Sequence, residues 1–131
     1  MPIMRFANTL LKINAALFAV FGLGFIFTPV FFAQFLTGAT PGTTSALIDM
    51  RATYGGISFG LALFWAYCAR RTDTTATGVL SALLVLTVVA IARVIGLLID
   101  GTPHAIMFVL LAAEVLFIGL NFNALRRVNH A

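Results

Sequence analysis

Residues 78–99 read GVLSALLVLTVVAIARVIGLLI and contain a single charged side chain, Arg93. A helix needs about 20 mostly apolar residues to cross roughly 30 Å of bilayer hydrocarbon, so this run predicts a transmembrane helix. Across the whole chain, 61% of the residues are hydrophobic and only 9% are charged. This composition is far from that of a soluble domain and predicts an integral membrane protein.

Three further apolar runs accompany this one, and they predict helices over about 13–36, 46–69 and 104–125. With 78–99 they fill most of the chain and leave only short connections. We therefore predict an all-α fold, an integral membrane four-helix bundle that forms a single transmembrane domain over residues 1–131.

Turn residues separate the predicted helices. Pro29 should kink the first one toward its far end. Gly38-Ala-Thr-Pro-Gly42 forms a turn before the second, and the hydroxyls that follow can cap that helix. Asp100-Gly101-Thr102-Pro103 combines a C-cap glycine with an N-cap threonine and an N1 proline, so it should close the third helix and begin the fourth.

The basic residues outside the helices give the orientation. None lies on the 38–44 or 100–103 connections. Because lysine and arginine accumulate on the cytoplasmic side, both termini and the second loop are predicted to be cytoplasmic. The residues behind this N-in/C-in topology are Arg5, Lys12, Arg70, Arg71, Arg126 and Arg127.

Four ionisable residues, Asp49, Arg51, Arg93 and Glu114, fall inside or at the edges of the predicted helices, with Asp49 just above Arg51. An ionised side chain at mid-helix costs about 2.5–3.5 kcal/mol on insertion scales, so such residues pair or line a wet cavity. At 1.5 Å per residue, Arg51 lies roughly 6 Å, Arg93 about 10 Å and Glu114 roughly 15 Å below the outer ends of their helices. All of them therefore belong to the outer half of the bilayer.

Helical spacing groups these residues further. Arg51 shares a face with Tyr54, and Arg93 shares a face with Asp100, by the i, i+3, i+4, i+7 rule. The simplest arrangement pairs Arg93 with Glu114 and Arg51 with Asp49 or Asp100, with Tyr54 donating a hydrogen bond. The predicted site, opening outward, is a ligand-binding or buried polar cluster of Asp49, Arg51, Tyr54, Arg93, Asp100 and Glu114.

Two interpretations of this cluster stay open, because buried ion pairs can also fix helix register without binding a ligand. A second pattern is also ambiguous. Ala52, Gly56 and Gly60 form a small-residue stripe, which we expect to pack inside the monomer, a homodimer face being the alternative. Asn14 and Asn121 are expected to form an ordinary interhelical hydrogen bond.

Several classes of function find no support in the residues. The net charge of +4 comes from basic residues in pairs at helix ends, not from a basic surface, so nucleic acid is not an expected partner. Cys68 is the only cysteine, which excludes an internal disulfide. His104 and His130 are predicted on opposite sides, so no metal site is expected. No nucleophile constellation, phosphate loop or cofactor motif is present, which argues against an enzyme.

Three segments carry a resemblance to a known family: Asp49-Met-Arg-Ala-Thr-Tyr-Gly-Gly56 with Gly60, Ala92-Arg93 through Gly96 to Asp100-Gly101, and Glu114. With these segments the chain resembles, over most of its length, small bacterial four-helix membrane proteins known only as a domain of unknown function. More distantly it is similar to the DoxX-like group, some of which are linked to quinone or thiol redox systems. The resemblance implies a bacterial inner-membrane protein and brings no activity.

The function expected from these observations is that of a binding or accessory protein. Its outward-facing intramembrane cavity would hold a small amphiphile, a lipid or quinone, with Arg51 and Arg93 as donors and Glu114 balancing charge. One alternative is a small proton-coupled transporter that uses Glu114. Others are a structural or accessory subunit of a membrane complex and, by fold analogy alone, a subunit acting on quinone.

Overall fold

The structure, a computed structural model that describes residues 2–131, consists of helices and short connections and contains no strand within that range. The all-α prediction is therefore confirmed. Three helices, α1, α5 and α6, are each long and apolar enough to cross a membrane. The elements in chain order are α1 (Pro2–Phe27), α2 (Pro29–Thr37), α3 (Thr44–Met50), a π-helical segment (Arg51–Ile57), α4 (Ser58–Cys68), α5 (Thr75–Ile99) and α6 (Ile106–Asn129).

The second predicted helix is a composite of α3, the π segment and α4. Met50 and Ile57, which join the three pieces, both have right-handed helical backbone angles, so the helix continues from Thr44 to Cys68 without a break. The sequence analysis placed one regular helix over 46–69 and did not foresee the wider turn. Gly55 and Gly56 lie within the π segment.

The first predicted helix differs from expectation at both ends. It begins at Pro2, well before residue 13, because the polar residues of the first turns do not break a helix and Asn8 bonds the Thr75 hydroxyl of α5 at 2.9 Å. It also breaks completely at Thr28, whose φ of −131° and ψ of 56° lie outside the helical region. The ring of Pro29 disfavours a helical conformation for the residue before it, so α2 starts as a separate helix.

The main core lies in the half of the molecule that contains the chain termini. Trp65 is fully buried there, packs edge-on against Phe18 with 4.6 Å between ring centroids, and donates its indole N–H to Ser81 at 2.9 Å. Alanines at the surrounding contacts let the helices approach closely. The buried members of this core are Ala7, Leu10, Leu11, Ala15, Trp65, Cys68, Ala69, Val79, Ala82 and Ala124.

The helices pack mainly as two pairs, and this pairing determines which polar side chains come into contact. The composite helix packs mainly along α1, and α5 packs mainly along α6. At the opposite end from the main core, α2 folds back over a smaller apolar cluster of Phe25, Ala33 and Leu36. The two helix pairs therefore present separate outer surfaces.

The backbones of α1 and the composite helix approach closely at Gly22 and Gly55. A Cβ atom on Gly22 would lie 2.6 Å from the Phe59 nitrogen and 2.9 Å from the Gly55 carbonyl oxygen. The buried face of the composite helix accordingly runs through Gly55, Ser58, Ala62 and Trp65. Only glycine fits at a contact in which backbone meets backbone.

This contact displaces the predicted small-residue stripe. Ala52, Gly56 and Gly60 are exposed, and a Cβ on Gly60 would meet nothing within 4 Å. The expectation that these residues pack inside the monomer is not met, because the buried face is rotated by about one residue, roughly 100°, toward Gly55. The stripe is instead an open surface.

Candidate functional site

Arg93 of α5 and Glu114 of α6 are brought together as a buried ion pair. The Arg93 Nε donates to both Glu114 carboxylate oxygens at 3.0 Å, and Nη2 donates to Oε1 at 2.6 Å. The Arg93 side chain is 20% exposed and that of Glu114 is 10% exposed. Arginine and carboxylate in this fork geometry form one of the strongest side-chain contacts available in a protein.

Neighbouring residues of both helices fix the direction of the Arg93 guanidinium. Met107, in the first turn of α6, accepts a hydrogen bond from Arg93 Nη1 through its sulfur at 3.2 Å. Gly96 lies one turn further along α5, where a Cβ atom would come within 3.4 Å of the Asp100 carboxylate. The guanidinium has five N–H groups. Glu114 and Met107 leave one N–H on each terminal nitrogen without these partners.

A cavity of about 310 Å³ opens beside this pair at the end of the molecule away from the termini. Arg93 contributes to its wall, and Asp100 has no cation within 4.0 Å among residues 2–131. Arg93 and Asp100 are the two ionisable residues of the lining, and they carry opposite charges. The lining residues are Arg93, Gly96, Leu97, Asp100, Gly101, Thr102, Pro103 and Met107.

Arg51 does not join this group. Its Nη1 donates to the carbonyl oxygen of Ile26, at the end of α1, and no carboxylate of residues 2–131 lies within 4.0 Å of it. Asp49 instead accepts a hydrogen bond from Thr53 at 3.1 Å. The predicted pairing of Arg51 with Asp49 or Asp100 is therefore wrong. The composite helix lies against α1, so Arg51 reaches the end of α1 and not α5.

Tyr54 is also placed differently from expectation. Its ring packs on Phe25 of α1 with 5.3 Å between centroids and is about half exposed. Within residues 2–131 its hydroxyl donates no hydrogen bond to the carboxylates of Asp49, Asp100 or Glu114. In this structure Tyr54 forms a packing contact between the composite helix and α1.

A second cavity, of about 520 Å³, contains Arg51. It lies at the break between α1 and α2 and shares no lining residue with the Arg93 cavity. Sequence reasoning missed this arrangement, although the proline-induced break was the available signal. The lining residues are Phe27, Thr28, Pro29, Val30, Phe31, Gln34, Thr40 and Arg51.

A family model described as "Domain of unknown function (DUF4345)" matches residues 6–125. The chain belongs to this family. The matched range includes both cavities and every candidate site residue, so the arrangement lies within the family domain. Searches of curated proteins and of solved structures gave no match.

The DUF4345 domain also contains a polar contact far from both cavities. Asn14 Nδ2 donates to Asn121 Oδ1 at 3.2 Å, and Asn121 in turn donates to the Phe117 carbonyl oxygen at 2.8 Å. Both asparagines are buried, at 1% and 0% exposure. This is the interhelical hydrogen bond that the sequence predicted, and because it is enclosed by the main core it offers no access to a ligand.

The loop between α4 and α5 contains the second ion pair of the described residues. Arg71 contacts Asp73 through two hydrogen bonds of 3.1 and 3.0 Å. The hydrogen bond from Arg71 holds the pKa of Asp73 below its usual value, and the same bond raises the pKa of Arg71. A lowered carboxyl pKa gives stability that is present above the unfolded-state pKa and is lost as pH falls. Both side chains are exposed, so water and salt screen the pair.

Metal binding has no geometric basis in the described part of the chain. No group of three or more His, Cys, Asp or Glu side chains in residues 2–131 is arranged to hold an ion. His104, one of the two histidines, lies against Gly38, whose φ of 77° ends α2. Cys68 is buried in the main core as a free thiol.

Proposed function

We propose that this DUF4345 protein is a four-span binding or accessory protein of the bacterial inner membrane, with both termini in the cytoplasm. In this proposal the Arg93 cavity opens to the outer side and holds the head of a small amphiphile, a lipid or a quinone. The observation that carries the proposal is the combination, in one cavity, of an arginine with N–H groups to spare and a carboxylate without a cation.

The helix lengths and the basic residues support the topology. The composite helix from Thr44 to Cys68 supplies a fourth element comparable in length with α1, α5 and α6. The connections between α2 and α3 and between α5 and α6 contain no lysine or arginine. Arg70 and Arg71 lie on the opposite connection, as the positive-inside rule requires for a cytoplasmic loop.

Single cysteines introduced into a Cys68→Ala background test this topology. Thr40, Thr72 and Thr102 are suitable positions, because each is exposed and lies in a connection between helices. We expect a membrane-impermeant maleimide to label Thr40→Cys and Thr102→Cys in spheroplasts. Thr72→Cys should react only after the membrane is permeabilised. Labelling of Thr72→Cys in sealed spheroplasts, with Thr40→Cys protected, would reverse the orientation and place the Arg93 cavity on the cytoplasmic side.

The chemistry of the cavity favours a head that both accepts and donates hydrogen bonds. Glu114 holds the guanidinium in one orientation, and the remaining N–H groups can reach an acceptor. Asp100 can accept from a donor at the same opening. A quinol hydroxyl or the amine-bearing head of a phospholipid offers such a combination. Contacts of this kind gain strength where water is largely excluded.

The proton-coupled transporter is less well supported by the geometry. A carboxylate that carries protons must exchange them with water during the transport cycle. Glu114 accepts three hydrogen bonds from Arg93 and its side chain is 10% exposed. A role as a subunit of a larger complex draws support from a different observation, the open Ala52, Gly56 and Gly60 surface, since small residues allow a partner helix or a second copy to pack closely.

Native mass spectrometry of protein extracted gently from its own membranes tests the proposal. Asp100→Asn removes the charge at the cavity and leaves the Arg93–Glu114 pair intact, and Asp73→Asn is the matched control in the exposed loop. We expect a discrete bound mass on the wild type and on Asp73→Asn, with retention reduced about tenfold in Asp100→Asn, the size of one charge-assisted hydrogen bond.

Two results would count against amphiphile binding in this cavity. One is the absence of any bound mass on the wild type, and the other is equal retention by Asp100→Asn and the control. The same spectra report whether the protein is a monomer or a dimer, which addresses the open small-residue surface.

A further inference from the structure

The cavity at the break between α1 and α2 differs in charge from the Arg93 cavity. Arg51 is the only ionisable residue among those that line it, so the lining carries one net positive charge. The lining of the Arg93 cavity, by contrast, contains both a cation and an anion, Arg93 and Asp100, and carries no net charge. A ligand with a net negative charge and no donor group is therefore matched better by the Arg51 cavity.

The positive charge of Arg51 lacks a protein counterion. Arginines within membrane spans ordinarily pair with a carboxylate or line a wet cavity. Here the guanidinium donates to one neutral carbonyl oxygen, that of Ile26, and no carboxylate of residues 2–131 lies within 4.0 Å. Several of its five N–H groups remain available to an anion at this cavity.

Arg51 lies close enough to the outer end of the composite helix for its side chain to extend toward the interface. It lies seven residues after Thr44, the start of the composite helix, which places its backbone about 10 Å below that end. Arginine side chains in this position extend toward the interface and keep their charged ends there while the stem stays in apolar surroundings. The guanidinium can therefore reach a lipid phosphate from within the hydrocarbon.

The walls of this cavity suit an acyl chain. Phe27, Val30 and Phe31 line it with 71%, 47% and 65% of their surface exposed. Gln34 and Thr40 add polar atoms to the lining. Apolar walls beside a single cation form the pattern expected for an amphiphile whose head is an anion.

We infer that the Arg51 cavity is a second lipid site, which binds the phosphate of a net-anionic phospholipid such as phosphatidylglycerol with an acyl chain against Phe27, Val30 and Phe31. This site is separate from the one in the proposed function and takes a different class of ligand. Charge complementarity favours a head without an amine, because no acidic residue lines the cavity.

The test is a titration of the purified full-length protein in dodecyl maltoside with dioleoylphosphatidylglycerol, and in parallel with dioleoylphosphatidylcholine, followed by native mass spectrometry. Arg51→Gln removes the charge and keeps a side chain with N–H donors. We expect it to weaken phosphatidylglycerol binding about tenfold, with phosphatidylcholine binding weak and unchanged. Arg51→Lys should stay within about threefold of the wild type, since it retains the charge.

Matched controls separate this site from other sources of binding. Arg71→Gln, in the exposed loop, should bind phosphatidylglycerol as the wild type does. Asp100→Asn should do the same, because this substitution changes only the Arg93 cavity and a loss of binding there tests only the proposed function. Equal affinities of the wild type and a folded Arg51→Gln would overturn the inference. Displacement of the lipid by millimolar inorganic phosphate would also overturn it, by showing a site for free phosphate.

Discussion

Replacing Glu114 by alanine is expected to lower the free energy of unfolding by about 3–5 kcal/mol, the usual cost of leaving one member of a buried ion pair without its partner. Arg93 is 20% exposed and its contacts to Glu114 are its only charged contacts among residues 2–131. Unfolding in mixed micelles, followed by circular dichroism as dodecyl sulfate is added, measures the loss. Arg93→Ala should cause a similar loss.

A double variant separates the cost of leaving one charge unpaired from any other effect of substitution at these two positions. Arg93→Met with Glu114→Leu replaces both charges by apolar side chains of similar length, a change that is commonly neutral or stabilising. We expect its stability to return to that of the wild type or above. If Glu114→Ala cost less than about 1 kcal/mol, the pair would behave as an exposed salt bridge and its burial in the membrane would be contradicted.

The second large effect is expected at the contact of α1 with the composite helix. Gly22→Ala places a Cβ atom 2.6 Å from the Phe59 backbone nitrogen, and a backbone cannot move aside as a flexible side chain can. The two helices must separate, so we expect a loss of about 2–3 kcal/mol, the upper range for overpacking. The same titration with dodecyl sulfate measures it.

Gly60→Ala is the matched control on the composite helix itself. Nothing lies within 4 Å of the added Cβ atom, and alanine is the better helix former, so stability should rise by about 0.5–1 kcal/mol. Equal responses of the two variants would show that α1 does not approach the composite helix at Gly22. A loss in Gly60→Ala alone would place the monomer contact on the predicted small-residue stripe.

Local patterns allowed much of the helical architecture to be predicted. The apolar runs and turn residues located the helices to within a few residues at most ends, since these are properties of short segments. The pairing of Arg93 with Glu114 followed from burial cost and helical spacing, because two opposite charges at similar depth on adjacent helices have few other partners.

The parts that could not be predicted depend on how helices rotate against one another. A GxxxG spacing indicates that a helix has a small-residue surface, but it does not say whether that surface faces its own bundle. In the structure the helix contact is made by Gly55, one residue before Gly56, because the backbone of Gly55 packs against that of Gly22 on α1. Nothing near Gly55 in sequence contains that information.

Arg51 illustrates the same difficulty for the site. Its expected partners were the nearest carboxylates in sequence and depth, Asp49 and Asp100. Its hydrogen bond to the Ile26 carbonyl depends on a helix break that exposes backbone acceptors, and on the packing of the composite helix against α1. One predicted cluster therefore became two separate cavities, which share no lining residue.

The measurement that most directly tests the Arg93 cavity as a binding site is native mass spectrometry of the Arg93→Met, Glu114→Leu double variant beside the wild type. Both should fold, so a structural role of the ion pair no longer obscures the comparison. We predict a discrete bound mass on the wild type and none on the double variant. Equal retention by the two proteins would contradict binding through Arg93 and leave the ion pair as a device that fixes the register of α5 and α6.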